Sequence, residues 1–179
     1  MIRLIHMRAW LALGLVLPLA AWAQMDRTEG NAGDAGRGGE VQAPLPDFPK
    51  PENNLPFQVS ATTPFLFFVD AKSVSVGKDG VVRYSLIAKS PGSALNVSFE
   101  GIRCSDAQFR VYAFGRPDNT WSEARNSQWQ RIPADARNAQ RAVLYRDFFC
   151  RAGGIIATAD EGVRALRSGS DSTAIFSGF

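Results

Sequence analysis

The sequence predicts an α+β domain in which an antiparallel sheet of four to five strands is covered by C-terminal helices. Three observations support this fold class. Residues 65–114 alternate between short apolar β-type segments and turn signals. Helix signals follow only after residue 119. The two cysteines, Cys104 and Cys150, are placed to join the strand region to the helices.

The beginning of the chain has the features of a removable signal peptide. Arg3 and Arg8 precede an apolar stretch, and small residues suited to a signal peptidase predict cleavage between Ala23 and Gln24. A membrane anchor is the alternative, but residues 9–23 fall short of the roughly 20 that a spanning helix needs. No cysteine follows the cleavage site, so we expect no lipid anchor. We therefore expect an exported periplasmic protein that spans no membrane once processed.

Export limits the chemistry that is available. The one histidine, His6, lies in the signal peptide, so the mature chain has none. Histidine-dependent catalytic triads and histidine-ligated metals are thereby excluded. In an oxidising compartment Cys104 and Cys150 are expected to form a disulfide. The alternative, a redox pair, lacks the Cys-x-x-Cys spacing. We expect no metal, no cofactor and no catalytic residue.

Composition divides the 179-residue chain into four parts. Residues 1–23 are the signal peptide and residues 24–56, rich in glycine and then in proline, predict a flexible linker. The alternative for its proline-rich end, residues 44–56, is a docking peptide. Residues 57–168 form the predicted domain and residues 169–179 a C-terminal tail.

Strand segments follow one another through short turns, which predicts an antiparallel meander. They are residues 65–69, 73–76, 81–89, 95–103 and 108–114.

Alternation of apolar residues predicts a register for two of these strands. The apolar positions are even-numbered in the first and odd-numbered in the second: Val82, Tyr84, Leu86 and Ala88, then Leu95, Val97 and Phe99. Burying both sets together requires even positions to oppose odd positions. This register places Arg83 near Glu100 on the other face, where a cross-strand ion pair is expected.

Three helices are predicted after the strands. Thr120 and Glu123 have the spacing of a capping box, and a helix there would place Trp121, Arg125 and Trp129 on one face. Residues 135–149 contain no glycine or proline and predict a second helix. The third helix begins near Thr158 and is expected to end at Gly169.

Polar and aromatic residues of the sheet and the first helix define a candidate binding face. Its members are Arg83, Ser85, Asn96, Ser98, Glu100, Arg110, Tyr112, Trp121, Arg125 and Trp129. Residues 103–151 hold nine arginines against five acidic residues, so an anionic envelope component or an unidentified envelope protein is the expected partner. The alternative is a solvated sheet face with the tryptophans in the core. Nucleic acid is not expected, because the mature protein is expected to be exported and lacks a concentrated basic stripe.

A second function class is a hydrolase that acts on envelope glycan through two carboxylates. Glu100 and Glu123 are the candidate acids, and Asp70, Asp118 and Asp147 are further acidic residues. The sequence does not show whether two of them lie close enough for this chemistry. We therefore favour an exported, non-catalytic binding or interaction protein.

Several segments resemble an uncharacterised family, the CNP-one-like domain of proteobacterial cell-envelope proteins. They are residues 67–70, 76–84, 96–104, 112–115, 121–129 and 147–150. The resemblance implies an envelope location and no established activity. Members of this family are described as lipoproteins, whereas this chain lacks the cysteine that would be acylated after Ala23.

Overall fold

Within the described residues, which are 40–41, 44–133, 139–150 and 154–174 of a computed structural model, eight strands form one antiparallel sheet. They are β1 (Asn54–Phe57), β2 (Leu66–Asp70), β3 (Ser75–Val76), β4 (Val81–Lys89), β5 (Leu95–Arg103), β6 (Gln108–Gly115), β7 (Trp121–Glu123) and β8 (Gln130–Arg131). The spatial order is β1-β2-β4-β5-β6-β7, with β3 paired to β4 and β8 paired to β6. The antiparallel sheet is confirmed. The predicted count of four to five strands was too low because β1, in the predicted linker, and β7 and β8, in the predicted first helix, were missed.

The C-terminal helices are confirmed, with different boundaries. Helix α1 (Ala139–Val143) continues as a π-helical turn, Leu144–Phe149. Helix α2 (Ala159–Ala174) follows Thr158, whose hydroxyl accepts a hydrogen bond from the amide of Glu161. Among the described residues, no helix is long and apolar enough to cross a membrane.

Gly169 does not end α2, contrary to the sequence prediction. The helix runs on to Ala174, so it contains the first residues of the predicted tail, whose last five lie outside the described residues. A Cβ atom at position 169 would lie 2.7 Å from Cε1 of Phe148. Glycine here allows α2 to approach the Phe148 ring, and close packing rather than termination explains the residue.

One face of the sheet packs against the helices, and we call it the helix face. It carries Val82, Tyr84 and Ile102, which form one buried cluster with Phe149 and Leu166 of the helical part. The rings of Tyr84 and Phe149 are 5.2 Å apart. Burial of apolar area is the main favourable term in folding, so this layer is where the stability of the domain is concentrated.

The disulfide between Cys104 and Cys150 is confirmed, with 5.4 Å between the two Cα atoms. Cys104 follows β5 and Cys150 follows the π-helical turn, so the bond joins the sheet to the helical layer.

The predicted register between β4 and β5 was wrong. Tyr84 opposes Glu100 and Arg83 opposes Gly101, so the even positions of both strands share the helix face. The expected pair between Arg83 and Glu100 is therefore absent from this part of the sheet. Glu100 is tolerated among apolar side chains because it is paired there, and Phe99 is buried on the opposite face instead.

The first predicted helix was also wrong, because Trp121 lies in β7 and Trp129 directly precedes β8. The chain turns after β6 through residues 116–119, where the amide of Asn119 bonds to the carbonyl of Arg116. Asp118, rather than a helix cap at Thr120, organises this turn, since its carboxylate accepts hydrogen bonds from the Thr120 amide and hydroxyl. The result is a hairpin.

The sheet begins within the segment predicted to be a linker. Residues 44–50 extend along the sheet, a 3-10 turn follows at Pro51–Asn53, and β1 starts at Asn54. Residues 24–39 of the predicted linker, the predicted signal peptide and its cleavage site at Ala23 and Gln24 lie outside the described residues.

Candidate functional site

The face of the sheet that points away from the helices holds a segment of the chain's own N-terminal part. We call this face the polar face and the segment, residues 40–41 and 44–50, the arm. The carboxylate of Glu40 lies at the centre of the contacts. It accepts hydrogen bonds from Arg110 Nη1 at 2.5 Å, Tyr112 Oη at 2.5 Å and Trp129 Nε1 at 3.2 Å. Arg83 Nη2 adds a fourth contact at 3.3 Å.

Arg83 is fixed in this position independently of the arm. Its guanidinium is nearly fully buried and forms a two-point contact with Asp79, with the shorter bond, Nη2 to Oδ2, at 2.6 Å. Asp79 lies in the turn before β4, and glycine at position 77 leaves room for the pair. A Cβ atom at Gly77 would lie 2.6 Å from Arg83 Nη1. Asp79 in this turn therefore fixes Arg83 without any contribution from the carboxylate of Glu40.

Arg110 and Trp129 are also held by groups outside the arm. Arg110 Nε donates to Ser127 Oγ at 2.9 Å, and that hydroxyl donates to the carbonyl of Val111 at 2.7 Å. The guanidinium of Arg103 stacks on the Trp129 ring at 4.3 Å from its centroid. Two strands, β4 and β6, and the loop before β8 thus supply the donors to Glu40, and the restraints on Arg83, Arg110 and Trp129 do not include Glu40.

Tyr112 is directed toward Glu40 by an irregularity in β6. Val111 opposes Glu100 and Ala113 opposes Phe99, so Tyr112 is the extra residue of a β-bulge. Its hydroxyl lies over Gly101, where a Cβ atom would be only 2.6 Å away. The bulge and the glycine together aim the phenol at the carboxylate.

We expect Gly101→Ala to destabilise the domain by about 1–3 kcal/mol, because the new methyl group would meet both Tyr112 Oη and Val81 Cγ1. Without that contact, alanine in a strand would stabilise the protein slightly relative to glycine. Urea unfolding of the purified protein measures the difference. Gly92→Ala is the matched control, since the nearest atom there is 3.9 Å away. A Gly101→Ala variant as stable as wild type would contradict the position of Tyr112.

We call the group of side chains around the Glu40 carboxylate, which are Arg83, Arg110, Tyr112 and Trp129, the pocket. Arg83 and its partner Asp79 also bind the backbone of the residue that follows Glu40. The amide of Val41 donates to Asp79 Oδ2 at 2.9 Å, and its carbonyl accepts from Arg83 Nη2 at 2.9 Å. The Val41 side chain is 51% exposed. The pocket therefore contacts one acidic side chain and both backbone groups of the next residue, whose side chain points away.

Further along the arm, Trp121 makes one hydrogen bond and one ring contact with the arm. Trp121 Nε1 donates to the carbonyl of Pro46 at 2.8 Å, and the Phe48 ring packs on the Trp121 ring with centroids 5.1 Å apart. A Cβ atom at Gly115 would lie 2.9 Å from Phe48 Cε2, so glycine makes room for that ring. Phe99 is buried beneath, 6.3 Å from the Trp121 ring.

Burial and hydrogen bonding change the pKa values of Tyr112 and Asp79. Burial and then the hydrogen bond to Glu40 raise the pKa of Tyr112 well above its ordinary value, so the phenol stays a neutral donor. Burial acts to raise the pKa of Asp79, but hydrogen bonds from Arg83 and the Val41 amide, with the charge of Arg83, hold it below its ordinary value. The pocket without Glu40 thus contains two guanidinium charges against one carboxylate.

Half of the residues of the predicted binding face contact the arm, and the other half lie elsewhere. Arg83, Arg110, Tyr112, Trp121 and Trp129 all contact the arm. The other members lie elsewhere. Ser85 is fully buried on the polar face, Arg125 is exposed after β7, and Asn96, Ser98 and Glu100 lie on the helix face.

Glu100 belongs to a closed buried pair. It is 0% exposed, and both of its oxygens accept hydrogen bonds at 2.7 Å from the guanidinium of Arg141 in α1. Tyr84 and Ser98 donate to the same carboxylate. Burial and the charge of Glu100 raise the pKa of Tyr84 well above its ordinary value. Glu123, the other candidate acid, is exposed in β7.

Sequence reasoning missed Glu40, Asp79 and Ser127. Glu40 was assigned to a linker on composition, and Asp79 was interpreted only as a turn residue. One feature of the sequence could have indicated the site. Arg83, Arg110 and Tyr112 lie on one face of the sheet with the small residues Ser85 and Gly101, and small residues leave space for a ligand. Among the described residues, no three histidine, cysteine or acidic side chains are grouped to hold a metal ion.

The fold and the site define a small α+β domain with a helical layer on one side of an antiparallel sheet and an extended segment bound on the other. The chain belongs to the CNP1-like family, whose family model matches residues 37–167 and so includes Glu40 and the arm. It is 32% identical over 98 residues to "Cryptic neisserial protein 1" of Neisseria gonorrhoeae (strain ATCC 700825 / FA 1090). That match covers 48% of each chain, so this chain spans about half the length of that relative. No solved structure matches the chain.

Proposed function

We propose that this protein is an exported, non-catalytic binding protein of the cell envelope, and that the polar face is its binding surface. The observation that carries the proposal is the bound arm: side chains from β4, β6 and β7 and the loop before β8 hold Glu40, Val41 and Pro46. Main-chain contacts combined with a specific side-chain pocket are the usual means of recognising extended peptides. The expected partner is an envelope protein that presents an acidic segment.

Two features support the export that this function requires. The first 23 residues have the composition of a signal peptide. The disulfide between Cys104 and Cys150 belongs to the kind of bond that persists in oxidising compartments. Export is tested by fractionation of the source cell, with mass spectrometry of the mature N-terminus. A periplasmic protein beginning at Gln24 is expected, whereas an uncleaved chain in the cytoplasm would overturn this part of the proposal.

No feature of the described residues favours the glycan hydrolase. Glu100 is saturated by Arg141, Tyr84 and Ser98 in the layer beneath the helices, and Glu123 is exposed at the end of the sheet. A glycosidase needs one acid positioned to protonate the leaving group and a second carboxylate nearby. A charge held in a closed bidentate pair is unsuited to the first role.

Binding is tested with a photocrosslinking amino acid in living cells. Position 131 is exposed and opposes Gln108 on the polar face, whereas position 164 is exposed on α2. The experiment is designed for the Glu40→Ala variant, in which the donors that contact Glu40 have no carboxylate from the chain itself. Adducts with an envelope protein are expected from Arg131 and not from Arg164.

The adducts must also depend on the pocket. Adding Arg110→Ala to Glu40→Ala should abolish them, while the control Arg116→Ala, at an exposed arginine in the turn after β6, should leave them unchanged. Equal adducts at both positions, or adducts insensitive to Arg110→Ala, would overturn the polar face as the binding surface.

A further inference from the structure

We propose that the pocket formed by Arg83, Arg110, Tyr112 and Trp129 is a recognition site for peptides containing glutamate, and that Glu40 is an autoinhibitory occupant of it. The inference rests on the proposed function, since it names the ligand class and the regulation of the same surface. Its first support is convergence. Four donors from β4, β6 and the loop before β8 meet on one carboxylate that comes from 43 residues before Arg83 and 70 residues before Arg110.

The second support is preorganisation. Asp79 fixes Arg83, Ser127 fixes Arg110, the bulge and Gly101 fix Tyr112, and Arg103 stacks on Trp129. None of these restraints involves Glu40. A site whose donors are already in place loses little conformational entropy on binding, which favours affinity for a ligand in trans.

The third support is charge. With Glu40 bound, two guanidinium groups face two carboxylates, those of Glu40 and Asp79. When Glu40 leaves, one positive charge of this partly buried pocket is uncompensated. Charge-assisted hydrogen bonds are about twice as strong as neutral ones, so a carboxylate ligand is strongly preferred over an amide of the same shape.

The contacts to Val41 narrow the ligand class further. Asp79 accepts from its amide and Arg83 donates to its carbonyl, while the side chain is half exposed. The pocket therefore selects a glutamate followed by a residue of unrestricted type that presents its backbone amide and carbonyl to Asp79 and Arg83. A free inorganic anion would satisfy the arginines but not the pair of backbone contacts.

Glu40 must then compete with any such ligand. Because the arm belongs to the same chain, its local concentration is high, and a ligand in trans binds only to the fraction of molecules in which the pocket is vacated. The structure thus describes the closed state of a binding site, and an acidic partner would open it by displacing Glu40.

The test uses the full mature chain and two blocked dipeptides, N-acetyl-Glu-Val-amide and N-acetyl-Gln-Val-amide. Binding is followed by tryptophan fluorescence, because the Trp129 indole contacts the carboxylate, and by calorimetry. The Glu40→Ala variant is expected to bind the glutamate probe at least about 10-fold more tightly than wild type. The glutamine probe should bind at least about 10-fold more weakly than the glutamate probe. Glu52→Ala, which removes an exposed glutamate from the 3-10 turn, should bind like wild type.

Several results would overturn the inference. Equal binding of the glutamate probe to wild type and Glu40→Ala would exclude autoinhibition, and equal binding of the two dipeptides would exclude carboxylate recognition. Inorganic phosphate that matches the glutamate probe would indicate a general anion site. Persistence of binding in Glu40→Ala/Arg110→Ala would place the probe elsewhere. If Glu40→Ala fails to fold, Glu40→Gln, which keeps the shape of the side chain, replaces it.

The dipeptide assay and the crosslinking experiment fail independently. Binding of the glutamate probe without envelope adducts would leave the pocket established and refute the proposed partner. Adducts that depend on Arg110, without probe binding, would leave the polar face as the binding surface and refute recognition of glutamate by the pocket.

Discussion

Arg141→Met is expected to destabilise the domain by about 3–5 kcal/mol, because it leaves the carboxylate of Glu100 buried without its counter-ion. Glu100 is 0% exposed, and Arg141 supplies both of its charged contacts in the described part of the chain. The guanidinium also packs on the ring of Phe109, 4.1 Å from its centroid. A loss of this size is a large part of the roughly 5–15 kcal/mol that stabilises a typical domain. Urea unfolding at neutral pH measures it.

Two further variants show whether burial is the cause. Arg146→Met removes an arginine of the same chain region whose ion pair with Asp147 is exposed, and the expected cost is below about 1 kcal/mol. Glu100→Leu/Arg141→Met removes both buried charges and should recover most of the lost stability, since an apolar pair avoids the desolvation penalty. Equal effects of Arg141→Met and Arg146→Met would refute the buried ion pair.

Removal of the disulfide by Cys104→Ala/Cys150→Ala is expected to cost about 4 kcal/mol. The bond closes a loop with a sequence separation of 46 residues, and on the chain-entropy model its loss frees the unfolded chain by that amount. The native contacts around it change little, because the sheet and helices also meet through Tyr84, Phe149 and Leu166. Urea unfolding of the oxidised wild type, the reduced wild type and the double variant measures the effect.

The three forms provide internal controls. Reduced wild type should resemble the double variant, and dithiothreitol should leave the double variant unchanged. Alkylation of the protein isolated from the source cell under non-reducing conditions should find no free thiol, and mass spectrometry detects this directly. Labelling of both cysteines would contradict the bond, and a double variant as stable as oxidised wild type would contradict its contribution.

Local signals in the sequence were sufficient for part of the fold. The turn at residues 77–80 and the turn at residues 90–93 identified two hairpins, because glycine and proline at these positions have few other uses. The capping residues near Thr158 identified α2. The cysteine pair followed from the count of two cysteines together with the predicted compartment. Each of these inferences depended on residues that are near one another in sequence or on a count of one residue type.

The alternation pattern did not give the correct register of β4 and β5, because both faces of β4 are buried. Alternation identifies the core face only when the other face is solvated. Here Phe99 is buried on the polar face against the Trp121 ring, on which Phe48 of the arm packs, while Arg141 makes Glu100 acceptable on the helix face. Both contacts come from residues remote in sequence, and no local pattern contains them.

The sequence predicted one side of the candidate site, the binding face, but not the segment that occupies it. The arginines, the tyrosine and the tryptophans were identified as a binding face, whereas their occupant was assigned to a linker on glycine and proline content. Composition estimates how much apolar surface a segment can bury, but the arm is held by hydrogen bonds and by the single ring of Phe48. A segment of this kind needs a docking surface rather than a core.

The position of the arm determines where a recombinant fragment should begin. A truncation at residue 57, the edge of the domain by composition, would remove β1 up to its last residue and the Phe48 ring that packs on Trp121. It would also leave Arg83 and Arg110 without the Glu40 carboxylate. Such a fragment would retain anions and adhere to unrelated acidic proteins during purification. Fragments that begin at Gln24 keep the arm and avoid false partners in interaction screens.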